Sequence, residues 1–168
     1  MKKLKLNITR VLVAILVLTS FVACDEVGDT DPGGTSTESM AGDWYDQTLD
    51  NGVVVHDYAL ISTYNTAAND GKEFWIDDHG NVWDFKVKSP VTVGTLSFAG
   101  SNLASSVDGY DVNVTITEGK VTKNDTKTSG GNTSDGISFK AVFSDDPDAG
   151  TVYEIKGYKR TGFKEDEH

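Results

Sequence analysis

The 168-residue chain reads as an all-β protein, an antiparallel up-and-down β-barrel of eight to nine strands. Three observations predict this. Apolar and polar residues alternate with period two in several segments, the mark of half-buried antiparallel strands. Those segments are short and are separated by turns rich in Gly, Asp and Asn. Helical spacing is missing over any useful length of residues 41–160, so any helix there should be a single short turn. A meander of this size stays soluble by closing on itself, which removes its edges. A two-sheet sandwich is the competing architecture.

Strands are expected near 42–47, 53–65, 72–77, 81–88, 92–98, 110–117, 119–124, 136–144 and 151–160. The segment NVWDFKVK sets Trp83, Phe85 and Val87 on one face and Asp84, Lys86 and Lys88 on the other. YDVNVTIT sets Tyr110, Val112, Val114 and Ile116 against Asp111, Asn113, Thr115 and Thr117. ISFKAVF gathers Ile137, Phe139, Ala141 and Phe143. In KEFWID, Phe74 and Trp75 are neighbours and must face opposite ways. Glu118-Gly119 reads as a two-residue hairpin loop, with Gly free to take positive φ. DDHGN (77–81) and DDPDAG (145–150) read as turns. Two connections look longer, 99–109 and 124–135. The first keeps Leu103 and Val107, which could fold back over an opening. The second has no aromatic anchor and reads as a mobile tip.

Cys24 is the only cysteine, which excludes an intramolecular disulfide and a thiolate metal cluster. The domain must be held by its apolar core. Ahead of Cys24 lie Lys2, Lys3, Lys5 and Arg10, then the apolar run VLVAILVL (11–18) and FVAC. A basic start, a short apolar stretch and small residues before a break describe a secretory signal over 1–23. The run is short for roughly 30 Å of hydrocarbon. Removing those four positive charges from −11 leaves a mature chain of −15. Such a chain is repelled by nucleic-acid phosphates and anionic head groups, so no nucleic-acid partner is expected. Residues 24–40 carry almost no apolar side chains and read as a flexible tether ahead of a domain at 41–168.

Phe21-Val22-Ala23-Cys24 resembles the lipobox of bacterial lipoproteins, with Phe21 in place of the usual Leu. The resemblance implies cleavage before Cys24 and acylation of that residue, hence a membrane partner through an acyl anchor. Cys24-Asp25-Glu26 is similar to the acidic tract of surface-exported lipoproteins of Bacteroidetes, which implies an outer-membrane, cell-surface location. By the enterobacterial rule, an Asp there would instead imply inner-membrane retention. Gly42-Asp43-Trp44 on the first strand and Arg160 on the last are similar to the lipocalin and calycin arrangement. There an arginine covers the indole at the barrel floor, a cation–π contact. AGDWYDQ, STYNTAANDGKEFWIDDHGNVWDFKVK and YEIKGYKRTGFKEDE together resemble a family of small Bacteroidetes lipoproteins described as lipid-binding putative hydrolases. That resemblance implies a lipocalin-like barrel and an apolar-ligand pocket. The inward candidates to line it are Trp83, Phe85, Tyr110, Val112, Val114, Phe139 and Tyr153.

Catalytic motifs are missing. No G-x-S-x-G elbow, P-loop, H-E-x-x-H or EF-hand loop occurs. His56 and Asp57 are strand neighbours and point apart. His79 lies in a turn whose Asp77 and Asp78 read as turn formers. His168 is terminal and expected in solvent. No catalytic residue, metal site or cofactor is assigned. The expectation is a monomeric, membrane-tethered barrel binding a small apolar or amphipathic ligand without chemistry. Two alternatives stay open. One is an accessory surface protein engaging a glycan or an outer-membrane complex. The other is a lipid or ester hydrolase, which predicts a polar trio inside the barrel.

Overall fold

The computed structural model describes residues 33–168. The signal segment 1–23, Cys24 and the first part of the tether lie outside the described residues. Eight antiparallel strands, β1 (Gly42–Asp50), β2 (Val53–Asn65), β3 (Glu73–Asp77), β4 (Lys86–Thr92), β5 (Ser97–Ala104), β6 (Asn113–Lys127), β7 (Thr133–Phe143) and β8 (Tyr153–Lys159), form one closed barrel in sequence order. Helix among the described residues is limited to three single 3-10 turns, Glu38–Met40, Val93–Thr95 and Lys164–Asp166. The barrel expected from the alternation is the fold observed.

The compact domain begins before the expected boundary at residue 41. Thr35–His168 is one compact unit, and Thr37 and Met40 are both fully buried. One apolar side chain among polar ones is enough to dock the 3-10 turn, because Met40 enters the core cluster. Ser36 and Thr37 hydroxyls also donate to Asn65 Oδ1 at 3.0 and 3.1 Å.

Among the described residues the count is eight strands, because the segments expected at 110–117 and 119–124 are one strand, β6. Lys120–Thr122 pairs with β7 just as Val114–Thr117 does, so the chain runs straight through Glu118-Gly119. Those residues form a bulge: Thr117 faces Lys140 while Lys120 faces Ser138, leaving one extra residue on β6. Glu118 takes φ 56°, and Gly119 lies so close to β5 that a Cβ would sit 2.3 Å from the Phe98 carbonyl. The true two-residue hairpin is Asn51-Gly52, with φ of 48° and 81°, the positive-φ pair of a type I′ turn.

Two more expectations shift. Residues 78–85 form a loop instead of the start of β4, because Asp78 Oδ2 gathers the N–H groups of Val82, Trp83 and Asp84 at 3.0–3.1 Å. The presumed mobile tip is a short hairpin turn at 128–132 pinned by Asp166, which accepts from Gly130 N–H and Asn132 Nδ2, both at 3.0 Å. Burial pushes the Asp166 carboxyl up. Hydrogen bonds from Thr128, Thr161, Asn132 and Gly130 outweigh it and hold the pKa at about 2. His168 is not free in solvent either. It stacks on Tyr58 at 4.3 Å and meets Tyr158 Oη at 2.6 Å.

The barrel has two distinct ends. The connections at 50–53, 77–86, 104–113 and 143–153 share one end, the mouth. Residues 35–41, the turns at 66–72, 93–96 and 128–132, and the C-terminal segment share the other, the floor. Between them the inward side chains form one contiguous core, with Phe74–Phe98, Phe98–Phe139 and Phe85–Phe143 centroids 5.1–5.7 Å apart. Eight strands leave an interior that side chains can fill. Closure depends on the seam of β1 and β8, where Gly157 pairs with Asp46. A Cβ on Gly157 would fall 2.1 Å from the Tyr45 carbonyl oxygen and 2.6 Å from Asp46 Cα. Gly157→Ala is therefore expected to destabilise the domain by about 3 kcal/mol or more, measured by chemical denaturation. An unchanged midpoint would mean the seam is looser than described.

Candidate functional site

At the floor, Trp44 is fully buried and its Nε1–H donates to Thr63 Oγ1 at 2.8 Å, which in turn donates to the Met40 carbonyl at 2.8 Å. The cation beside this indole is Lys159, with Nζ 5.8 Å from the ring centroid and donating to the Ala41 carbonyl at 2.8 Å. Arg160, the expected partner, points outward. Residues 153, 155, 157 and 159 of β8 face inward, so 160 has the wrong parity. It makes a forked ion pair with Glu167 instead, Nε–Oε1 2.8 Å and Nη2–Oε2 2.6 Å. Gly42 gains a specific role: a Cβ there would lie 2.6 Å from Lys159 Cε. Gly42 and Trp44 thus lie at the floor with Lys159, and Arg160 lies at the same end without covering the indole.

The candidate ligand-lining residues split into two groups. Phe85, Val112, Val114 and Phe139 are 0–2 % exposed and belong to the packed core, so they line no open pocket. The alternation placed them inward correctly, but alternation does not distinguish a filled interior from a hollow one. Trp83, Tyr110 and Tyr153 cap that core at the mouth. Trp83 lies flat on Phe143, 4.3 Å between centroids and 4° between planes. Its Nε1–H donates to Asp145 Oδ1 at 2.9 Å, Tyr110 Oη donates to the other Asp145 oxygen, and Tyr153 Oη donates to Asp146 Oδ2 at 3.0 Å. Hydrogen bonds from Tyr110 and then Trp83 hold the Asp145 carboxyl below the usual range.

Two crevices open on either side of Trp83. One, about 250 Å³, is lined by Thr48, Asp50, Val55, His56, Val82, Trp83 and Tyr153. The other, about 410 Å³, is lined by Gly80, Val82, Trp83, Asp84 and Tyr110. A cleft at the floor end reaches about 520 Å³, but Thr35, Ser36, Glu38, Ser39, Lys123 and Lys159 make it polar throughout. The mouth crevices join aromatic faces to an exposed apolar rim. Val53, Val55 and Val152 are 65, 54 and 49 % exposed. They stand beside the smaller crevice because Asp50 pairs with Val53 on one side and Tyr153 on the other.

Below this crevice lies a residue the sequence reading passed over. Asp46 shares the inward face of β1 with Trp44 and Thr48 and is 4 % exposed. Among the described residues no side chain bonds its carboxyl. Burial, and then the nearby Asp78, push its pKa well above the usual carboxylate range. Asp78 is raised too, by burial, against hydrogen bonds from Val82, Trp83 and Asp84. The signal was present in GDWYDQT: parity puts Asp46 on the face of Trp44.

A polar trio does exist, but on the outer wall. His79 Nε2 lies 2.8 Å from Ser62 Oγ, and His79 Nδ1 lies 3.5 Å from Asp77 Oδ1. Ser62 Oγ donates to Asp43 Oδ1 at 2.6 Å, while Asp77 also takes Tyr64 Oη at 2.7 Å and Lys86 Nζ at 3.1 Å. With the serine proton directed at Asp43, Nε2 is left to donate to Oγ, the reverse of the polarity a hydrolytic triad needs. The outward aromatic, Trp75, is covered by Lys86 and Lys88, Nζ 5.5 and 5.0 Å from its centroid.

A closed eight-stranded antiparallel barrel with a plugged floor and an aromatic mouth defines a lipocalin-like protein. The family model described as "lipid-binding putative hydrolase" matches residues 29–164, and the chain belongs to that family. Among curated proteins none matches the chain.

The raised Asp46 gives a pH prediction. A folded-state pKa above the unfolded one means that folding favours the protonated acid. Its contribution is fully present below about pH 4 and is lost as pH rises through the folded value. The stability of Asp46→Asn relative to wild type should therefore grow as pH is raised from 4 to 8, measured by urea denaturation. A difference independent of pH would contradict the burial of an acid at this position.

Proposed function

We propose that this protein is a monomeric, lipid-anchored barrel of the outer-membrane surface that holds a small amphipathic, lipid-like ligand at its mouth, without chemistry. The observation that carries the reading is the mouth itself: two crevices share Trp83 and are bordered by exposed valines. Ligand sites are concave, largely apolar and fitted with a few polar groups. The family's lipid-binding description supports the same class of ligand. The filled core argues for contact at the mouth and against engulfment within the barrel. The polarity of the Ser62 cluster favours a structural clasp over a catalytic one.

Cys24 is the acylation site, and two or more chains at about 0.8 kcal/mol per buried CH₂ hold the protein to the membrane. The chain enters the barrel domain at the floor end, opposite the mouth.

Two measurements test this reading. Trp83→Ala should weaken binding of a twelve-carbon amphiphile about tenfold, roughly 1.4 kcal/mol, by isothermal titration calorimetry. Equal affinity in variant and wild type would place the ligand elsewhere. Cys24→Ala should abolish incorporation of labelled palmitate and release the protein from the membrane fraction. Retention of both would overturn the anchor.

A further inference from the structure

The mouth is charged in one sense. The four connections at that end carry nine aspartates and a single lysine, with no arginine. That lysine, Lys86, is already engaged by Asp77 at 3.1 Å on the outer wall. His56 is the one basic group lining the smaller crevice, and its Nδ1 meets the Asp57 carbonyl at 2.9 Å. A carboxylate head group would find no cation there and several like charges.

Beneath the crevice lies Asp46, 4 % exposed and bonded by no side chain among the described residues. It is one inward position below Thr48, which lines the crevice, so about 7 Å of strand separates the two. A buried carboxyl that no side chain bonds keeps acceptor capacity for a donor that reaches it. The nearby Asp78 makes the deficit one of positive charge: Oδ2 of Asp78 is taken by three N–H groups, and no cation among the described side chains neutralises the pair. Above them lies the indole face of Trp83, a surface that attracts cations. Outside stand Val53, Val55 and Val152. From base to rim, the order is acid, aromatic, aliphatic.

We propose that the mouth selects a cationic amphiphile, taken head-first, with its ammonium group directed past Trp83 to Asp46 and its apolar chain lying along Val53, Val55 and Val152. This rests on the ligand-binding reading above and adds the sign of the head group and the direction of entry. A primary ammonium suits the site, because it donates hydrogen bonds to a carboxylate and presents its charge to an aromatic face.

The test compares dodecylammonium with dodecanoate, both below micelle-forming concentration, by calorimetry at pH 7. Dodecylammonium should bind in one-to-one stoichiometry at least tenfold more tightly than dodecanoate. Because a chain of high negative charge attracts any cation loosely, the deciding arm is Asp46→Asn. That isosteric change should cut dodecylammonium affinity about tenfold and leave dodecanoate binding unchanged or stronger. Circular dichroism and the denaturation midpoint establish that the variant folds. A second variant, Val55→Ser, should weaken both amphiphiles alike. Equal or tighter binding of dodecanoate by wild type overturns the charge selection and leaves the ligand reading standing. Preference for dodecylammonium that survives Asp46→Asn overturns the role of Asp46. Binding of neither amphiphile overturns both readings together.

Discussion

The close approach of β1 and β8 is the constraint on which the rest depends. Gly157 against the Tyr45 carbonyl lets the first strand pair with the last, and closure removes every free edge. Closure at eight strands also sets the interior width, and here Phe74, Phe85, Phe98, Phe139 and Phe143 occupy it together with aliphatic side chains. A filled interior is stiff and leaves contact with a ligand to the rim. The same seam fixes the parity of both strands. It sends Trp44 and Lys159 together into the floor, turns Arg160 out to Glu167, and forces Asp46 into the barrel.

The two ends divide the work. The floor is a set of short-range clasps: Trp44 to Thr63 to the Met40 carbonyl, Lys159 to the Ala41 carbonyl, and Asp166 to the hairpin at 128–132. Each satisfies a polar group that burial would otherwise penalise. The mouth is built differently. Its aromatics are fixed by Asp145 and Asp146, its loop is wound on Asp78, and one buried acid is left without a side-chain partner. A buried acid that no side chain bonds, set below an aromatic mouth, keeps acceptor capacity for a partner molecule that reaches it.

Much of this was legible in the sequence because period two maps directly onto inside and outside. The inward positions of Phe85, Val112, Val114 and Phe139, and the opposition of Phe74 and Trp75, follow from alternation alone. The missed features lie where the register departs from that rule or where contacts are long-range. Glu118-Gly119 looks like a hairpin turn and is a bulge, since a positive-φ residue beside a glycine suits both and only the neighbouring strands decide. Lys159 and Arg160 differ by one position, and the end of β8 had to be known to choose between them. The Ser62, His79 and Asp77 cluster joins β2 to the β3–β4 turn, a juxtaposition set by pairing of Ser62 with Asp77. Whether the interior is filled or hollow depends on volumes summed around the barrel, which no local pattern carries.

The three tryptophans provide the most direct test of the claim that ligand meets the protein at the mouth. Trp44 lies in the floor, Trp75 on the outer wall and Trp83 at the mouth. Their indole N–H signals in a proton–nitrogen correlation spectrum report three separate places during one titration with dodecylammonium. Binding at the mouth predicts a saturable shift of the Trp83 signal while Trp44 and Trp75 stay in place. A shift of Trp44 comparable to that of Trp83, or a titration that moves Trp75 alone, would contradict it.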